Sequence, residues 1–385
     1  MDREPQQVPP GYKAKISPET FVCLGLILSI FAYLGYKLGA VRLMQTIMQL
    51  SFDLLINTCF FLMALCVIMG GLAAILAEFG IIDLFNLLLS PLMRPLYHLP
   101  GAAALGVITT FFSDNPAILS LSSNASFRAS FKRYQLPALC NLGTSFGMGM
   151  IVITYMSSLE VDKIGLAVLA GFLGAFMGSI VSTRLMLRAT RKSYGDRADD
   201  SLAPEDAQAS DLQNLRPVRS GGALQRVMGA LLEGGKTGVE VGLSIIPGVL
   251  IICCLVILFT NGPDDKFPGV ALIPWLGEKF NFLLQPLFGF SSSHAISVPL
   301  TALGSAGASL ALIPVLLSKS LIGANDIAVF TAICMCWSGY LSTHIAMMDN
   351  LKARELASKA ILSHTFGGLA AGIAANFLFK LLSSF

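Results

Sequence analysis

Charge is scarce in this chain. Only 13% of its 385 residues are Asp, Glu, Lys or Arg, about half the share of an average soluble domain, so no soluble-domain reading survives. There is no G-x-x-x-x-G-K-[ST] sequence, and nothing suggests ATP hydrolysis. The net charge of +3 is too small to point to a nucleic-acid partner. The eight cysteines include no C-x-x-C pair and lie in apolar runs; they read as packing residues rather than disulfides or metal ligands. Of the four histidines, His98 and His364 carry no usable pattern and His294 reads as a helix-start residue at a membrane surface.

What the chain has in abundance is apolar sequence. Hydrophobic residues make up 54% and the mean hydropathy is +0.71. They come in blocks near the length of about 20 that an α-helix needs to cross a bilayer, beginning at Phe21, Leu54, Val241 and Ala360. The first block follows two acidic residues and Pro9-Pro10, and no A-x-A cleavage pattern comes after it, so it reads as a retained helix and not a signal peptide. The expected class is an all-α integral membrane protein in contact with the lipid bilayer.

One long polar segment, from about Arg188 to Gly222, divides the chain. At an offset of about 195 residues, FNLLLSPL (Phe85 to Leu92) aligns with FNFLLQPL (Phe280 to Leu287). Gly174-x-x-x-Gly178 likewise falls opposite Gly368-x-x-x-Gly372, a spacing that lets helices approach backbone to backbone. The organisation expected is a tail and extra spanning helix (1–40), a first repeat (41–190), a linker (191–221) and a second repeat (222–385). Each repeat reads as an interfacial amphipathic stretch, a spanning helix, a Pro-interrupted region, a polar-centred helix and a glycine-rich helix. The spanning pairs are 54–77 with 239–260, 136–157 with 327–347, and 164–187 with 357–382.

Lys and Arg near helix ends set the orientation. Arg184, Arg188, Arg191, Lys192 and Arg197 put the linker in the cytoplasm. The turn SSLEVDK carries Glu160 and Asp162 against Lys163, whereas its counterpart carries Lys352, Arg354 and Lys359 against Asp349 and Glu355, so the two turns are expected on opposite sides. That is the mark of inverted-topology repeats, common in secondary transporters. Seven spans, a cytoplasmic N-terminus and an external C-terminus follow, although Lys37 and Arg42 fit this poorly. The expected location is a bacterial inner membrane.

The Pro-interrupted regions carry the candidate site. Residues 98–127 have short apolar arms around Ser113-Asp114-Asn115-Pro116, and the counterpart is broken around Gly304, Ser305 and Ser309. Non-helical backbone at membrane depth is tolerated only where it is buried in protein or lines a cavity, a condition two re-entrant hairpins satisfy. Two ordinary kinked helices with external loops are the alternative. The following helices add Asn141, Thr144 and Ser145 in the first half, and Ser338, Thr343 and His344 in the second. An ionisable group within a span is expensive and usually functional, which singles out Asp114 and His344 for coupling to a proton or a sodium ion. Asp114 also fits an N-cap before Pro116, and His344 an interfacial position five residues before Asp349.

The second half resembles a known family. LLEGGKTGVEVGLSIIP (Leu231 to Pro247) is similar to the E-G-x-K-x-G…I-I-P signature of the nucleoside-recognition, or gate-domain, membrane proteins, in Glu233, Gly234, Lys236, Gly238, Ile245, Ile246 and Pro247. VPLTALGSAGASL looks like a divergent form of their R-P-L-S-G-S-G-A motif, with Val298 in place of the basic residue. The whole resembles a fusion of the spore-maturation A and B proteins. The family is distantly similar to concentrative nucleoside transporters, which implies inverted repeats, two hairpins and an elevator-like motion.

The function expected is secondary transport of a small polar or anionic solute, nucleoside-like solutes among them, by a protein expected to be a homo-oligomer without a cofactor or bound metal. Two other readings compete. One is a non-transporting membrane subunit of envelope or spore-type assembly. The other is an intramembrane hydrolase, because Gly143-Thr144-Ser145-Phe146-Gly147 matches G-x-S-x-G and His344 or His364 supplies a base.

Overall fold

The computed structural model describes residues 13, 15–113, 117–118, 121, 125–202 and 218–384. These form helices joined by short turns, and among the described residues strand-like pairing is confined to one bridge between Lys132 and Ser201. Among the described residues six helical stretches are long and apolar enough to cross a membrane, one of which, Ala138–Ser157, carries a break. The seventh expected span, 327–347, is split in two.

Helix α1 (Pro18–Leu38) opens with proline at its first position, where the missing N–H costs nothing. Phe21, Leu24, Leu28 and Phe31 stand exposed on it and only Leu34 and Leu38 are buried, as lipid solvation requires. Helix α2 then runs unbroken from Ala40 to Glu78. The amphipathic stretch expected ahead of the first repeat's spanning helix is therefore its opening turns; the separate amphipathic helix, α3 (Ile81–Tyr97), comes after it. Short helices follow: α4 (Ala103–Phe112), α5 (Ala125–Ala129), α6 (Ala138–Thr144) and α7 (Gly149–Ser157). The first half ends in α8 (Ile164–Tyr194).

The second half opens with α9 (Ala223–Thr260), continues through α10 (Leu272–Lys279), α11 (Asn281–Phe288), α12 (Ser297–Ala302), α13 (Ala306–Ser318), α14 (Ala324–Cys336) and α15 (Leu341–Asn350), and closes with α16 (Ala357–Leu382). Both long helices contain a π-helical turn, Leu54–Cys59 in α2 and Val249–Cys253 in α9. In α9 the turn follows Pro247, which has no N–H to donate and so loosens the ladder there.

Two antiparallel helix pairs organise the core. Along α2 and α9, Met63 meets Gly242, Val67 meets Gly238, Gly70 meets Gly234, and Glu78 pairs with Arg226 at 2.7 Å. A Cβ at Gly238 would lie 2.3 Å from the Cys66 carbonyl oxygen; only hydrogen fits. The E-G-x-K-x-G residues Gly234 and Gly238 thus serve helix packing, while Glu233 pairs with Arg219 at 2.5 Å.

The second pair is α8 and α16. Gly174 faces Ala371 and Ala375, Gly178 faces Gly367 and Ala371, and Lys359 Nζ donates to Ser193 Oγ at 2.5 Å. The first G-x-x-x-G works as expected, but the second turns elsewhere: Gly368 lies under Trp337, and Gly372 under Ile333 and Phe288. The turn carrying Lys352, Arg354 and Lys359 therefore sits where α8 enters the linker, and the Glu160–Lys163 turn lies at the other end of α8.

The polar-centred helices are not continuous. The first breaks at residues 145–148 between α6 and α7, and the second at 337–340 between α14 and α15. Met148 takes a left-handed conformation (φ 56°) between Gly147 and Gly149, and Ser338-Gly339 sits in the second break. The Pro-interrupted regions are built from short arms. Helix α4 has 10 residues and α13 has 13, about 15 and 20 Å long. Each region's entry is tied to its exit. Gln135 Nε2 donates to the His98 carbonyl at 3.0 Å. Asp326 accepts from Ser291 N at 3.0 Å and from Gly323 N at 2.9 Å.

The linker is anchored at its start. Asp199 pairs with Lys132 at 2.8 Å and with Arg191 at 3.0 Å, and Tyr134 N donates to the Ala198 carbonyl. The Lys132 ammonium, with Arg191 beside it, holds the Asp199 carboxyl below its ordinary value.

Candidate substrate site

The two broken helices meet face to face, and the meeting is polar. Asn141 on α6 donates its amide to Ser182 Oγ at 3.0 Å and to the Ala360 carbonyl at 2.9 Å. Ser182, on α8, donates in turn to His364 Nδ1 at 3.0 Å, and His364 Nε2 donates to the Cys336 carbonyl at the end of α14. The imidazole of His344 lies 4.5 Å from that of His364, centroid to centroid. Its Nδ1 donates to the Tyr340 carbonyl at 2.6 Å, which turns Nε2 toward Thr144 Oγ1 at 3.5 Å. Ser338 Oγ donates to the Thr144 carbonyl at 3.0 Å, and Tyr340 OH pairs with Thr365. Both histidines, Asn141, Thr144 and Ser182 are 0% exposed. Breaking a helix frees backbone carbonyls, and here imidazole and hydroxyl donors take several of them.

Of the residues expected in the site, the fold brings Asn141, Thr144, Ser145, Ser338 and His344 together. His344 is fully buried in the protein. Thr343 is half-buried on α15. Ser145 donates to the Asn141 carbonyl at 2.7 Å, the ordinary back-bond of a helical serine, and sits beside the helix break rather than on a strand-to-helix elbow. The G-x-S-x-G match thus gains no triad geometry.

The second Pro-interrupted region turns between α12 and α13. Ser305 caps α13 by accepting from Ala308 N at 3.3 Å. Gly304 and Ser305 lie against Ile252 and Gly248 at the π-turn of α9. Ser309 donates to the Ala306 carbonyl at 2.6 Å and meets Cys334 Sγ at 3.1 Å, which ties α13 to α14. In the first region, Ile118 packs on Gly106 and Gly143, joining α4 to α6. Ser113 lines a cavity of about 330 Å³ between α2, α9 and the end of α4, together with Thr109, Phe112, Cys66 and Thr237. That volume suits a small ligand. Asp114 and Asn115 lie outside the described residues.

Sequence reasoning missed Ser182 and Thr365, named Tyr340 only as one polar group among several of its helix, and gave His364 only as a base of the hydrolase alternative. For Ser182 a signal existed: Gly174, Gly178 and Ser182 recur every four residues and so share one face of α8. His364 gave none, because its partner Ser182 is 182 residues away. Among the described residues no group of three His, Cys, Asp or Glu is placed to hold a metal.

No protein-family model matches the chain, and no curated protein matches it by sequence. Solved structures do match. A doubly substituted form of the concentrative nucleoside transporter CNTnw in an outward-facing state superposes with a TM-score of 0.57 at 16% identity, covering 96% of this chain and 87% of that one. CNTnw in an inward-facing, substrate-bound state gives 0.52 at 14% identity, over 95% and 87%. A substituted CNTnw in an intermediate state gives 0.54 at 14% identity, over 94% and 85%. Only the broader of the two resemblances drawn from the sequence is thereby supported, and the chain has the helical membrane fold of concentrative nucleoside transporters.

Proposed function

We propose that this protein is a secondary transporter, driven by an ion gradient, that carries a small polar or anionic solute by elevator-type alternating access. The observation that carries the reading is the pairing of interruptions. Two short-armed regions, each tied back to its own point of entry, accompany two helices broken part-way along their length. Discontinuous helices of this kind build solute and ion sites in transporters. The antiparallel runs of α2 against α9 and of α8 against α16 support inverted repeats, and the ties between each short-armed region's entry and exit support re-entrant hairpins; in this reading the linker end is cytoplasmic. The fold shared with CNTnw puts nucleosides first among the solutes to be tried.

In this reading the solute occupies the space between the first hairpin tip, at Ser113, Asp114 and Asn115, and the second, at Gly304, Ser305 and Ser309. The broken helices, through Asn141, Thr144, Ser145, Ser338 and Thr343, form the wall behind it. Asp114 takes up the coupling proton or sodium ion, and His344 is the second candidate for that role.

The test is solute uptake into proteoliposomes under imposed proton and sodium gradients, starting with a nucleoside panel. The wild type should accumulate at least one solute under one gradient, and Asp114→Asn should abolish or uncouple that uptake with near-normal expression. Undiminished gradient-driven uptake in Asp114→Asn would remove Asp114 from coupling. Absence of flux for every solute and gradient would leave the non-transporting subunit as the better account.

A further inference from the structure

Beside the first short-armed region lies a groove that has no part in the solute site. It occupies about 460 Å³ between α3, α4 and α8, and every residue lining it is apolar except Tyr97, whose hydroxyl is turned inward onto Ser179 at 2.6 Å. Phe85, Leu92 and Leu173 on its rim are 37 to 43% exposed, so it opens outward through the apolar exterior of the protein. At that depth the surroundings are acyl chains.

The linker end of the groove is basic. Arg184 on α8 donates to the Leu96 and Pro95 carbonyls, at 2.7 Å each, and clamps the last turn of α3 to α8. Arg94 lies next to that contact in sequence and Arg188 is one helical turn beyond it; both are exposed. Of the acids at the start of the linker, Asp199 is committed to Lys132 and Arg191 and Asp200 to Arg133, and Asp196 pairs with none of Arg94, Arg184 and Arg188. Among the described residues no carboxylate pairs with Arg94, Arg184 or Arg188. An acyl-sized groove ending in guanidinium groups without counter-ions is complementary to one class of molecule, an anionic phospholipid.

We propose that this groove is a binding site for an anionic phospholipid, with one acyl chain between α3 and α8 and the phosphate on Arg94 and Arg188. Its position gives the lipid a consequence. Phe112 lines both the groove and the cavity beside Ser113, so a seated chain packs against the arm that carries the first polar break. Occupancy would then stabilise that arm, whatever the protein carries.

The full-length protein, reconstituted in nanodiscs holding equal phosphatidylglycerol and phosphatidylcholine of matched chains, is extracted and examined by native mass spectrometry. Retained phosphatidylglycerol should exceed phosphatidylcholine by about tenfold, and Arg94→Gln/Arg188→Gln should bring the ratio near one. Leu173→Trp, which narrows the groove and leaves the basic residues in place, should lower retention of both lipids; it also serves as the test if the double variant does not fold. Equal retention by the wild type would overturn the proposal, as would a preference unchanged in both variants. Displacement of the lipid by millimolar glycerol 3-phosphate would also overturn it, because the head group alone would then account for binding.

Discussion

The amide of Asn141 is spent on two donations, and its carbonyl oxygen is left buried without a partner. One residue therefore holds α6 to both α8 and α16, and the chain through Ser182 to His364 extends that hold to α14. Ser182→Ala removes the link and should cost about 1–2 kcal/mol, with His364→Ala costing about 3. The double variant should cost less than the sum, since both act on one network; thermal unfolding in detergent reads all three. Asn141, Thr144 and His344 were visible in the sequence because a polar group in an apolar run is conspicuous. Ser182 was not, because serine in a glycine-rich helix passes for a residue bonded to its own backbone. At the surface, the depressed carboxyl of Asp199 fixes a sign: its contribution is present above the ordinary value of 3.8 and is lost as pH falls through the lower folded value. Protection of the amides around residues 198–201, relative to their intrinsic exchange at each pH, should fall below that pH, and Asp199→Asn should show the lower protection already at neutral pH.

At the scale of elements, the helices most readily found from sequence were those that face lipid, since a long apolar run is its own signal. The breaks at 145–148 and 337–340 were not foreseen. Each interrupts a span whose hydropathy continues across it, and the glycines that permit the break also occur in intact helices here, as at Gly70 and Gly234. Local composition cannot separate a glycine that lets a neighbour approach from one that ends a helix; the facing surface decides. Gly238 belongs to the first kind. Gly238→Ala would press a methyl group into the Cys66 carbonyl and should destabilise the α2–α9 pair by about 1–3 kcal/mol, whereas Gly25→Ala, with open space around it, should leave unfolding unchanged.

At the scale of the molecule, the helix contacts place the two short turns at opposite ends of the α8–α16 pair, and the charge contrast between them predicts that these ends lie on opposite sides of a membrane. Single cysteines at Glu160 and Lys352, introduced into a Cys23→Ser background, should react with an impermeant maleimide from opposite sides of a sealed vesicle; the seven other native cysteines are buried. Labelling of both from the same side would sink the inverted arrangement. The π-helical turn at Val249–Cys253 bears on the molecule's architecture in another way. Such a turn is in effect one residue more than an α-helix needs. If the same residues were wound as an unbroken α-helix, everything beyond would rotate by about 100°. Cys254, Ile257 and Leu258, now 5% exposed or less, would swing toward lipid, and Asn261 would lose its aim at Lys319. The surplus residue thus works as a phase correction: it lets a helix whose first half is keyed to α2 present its second half to a different partner.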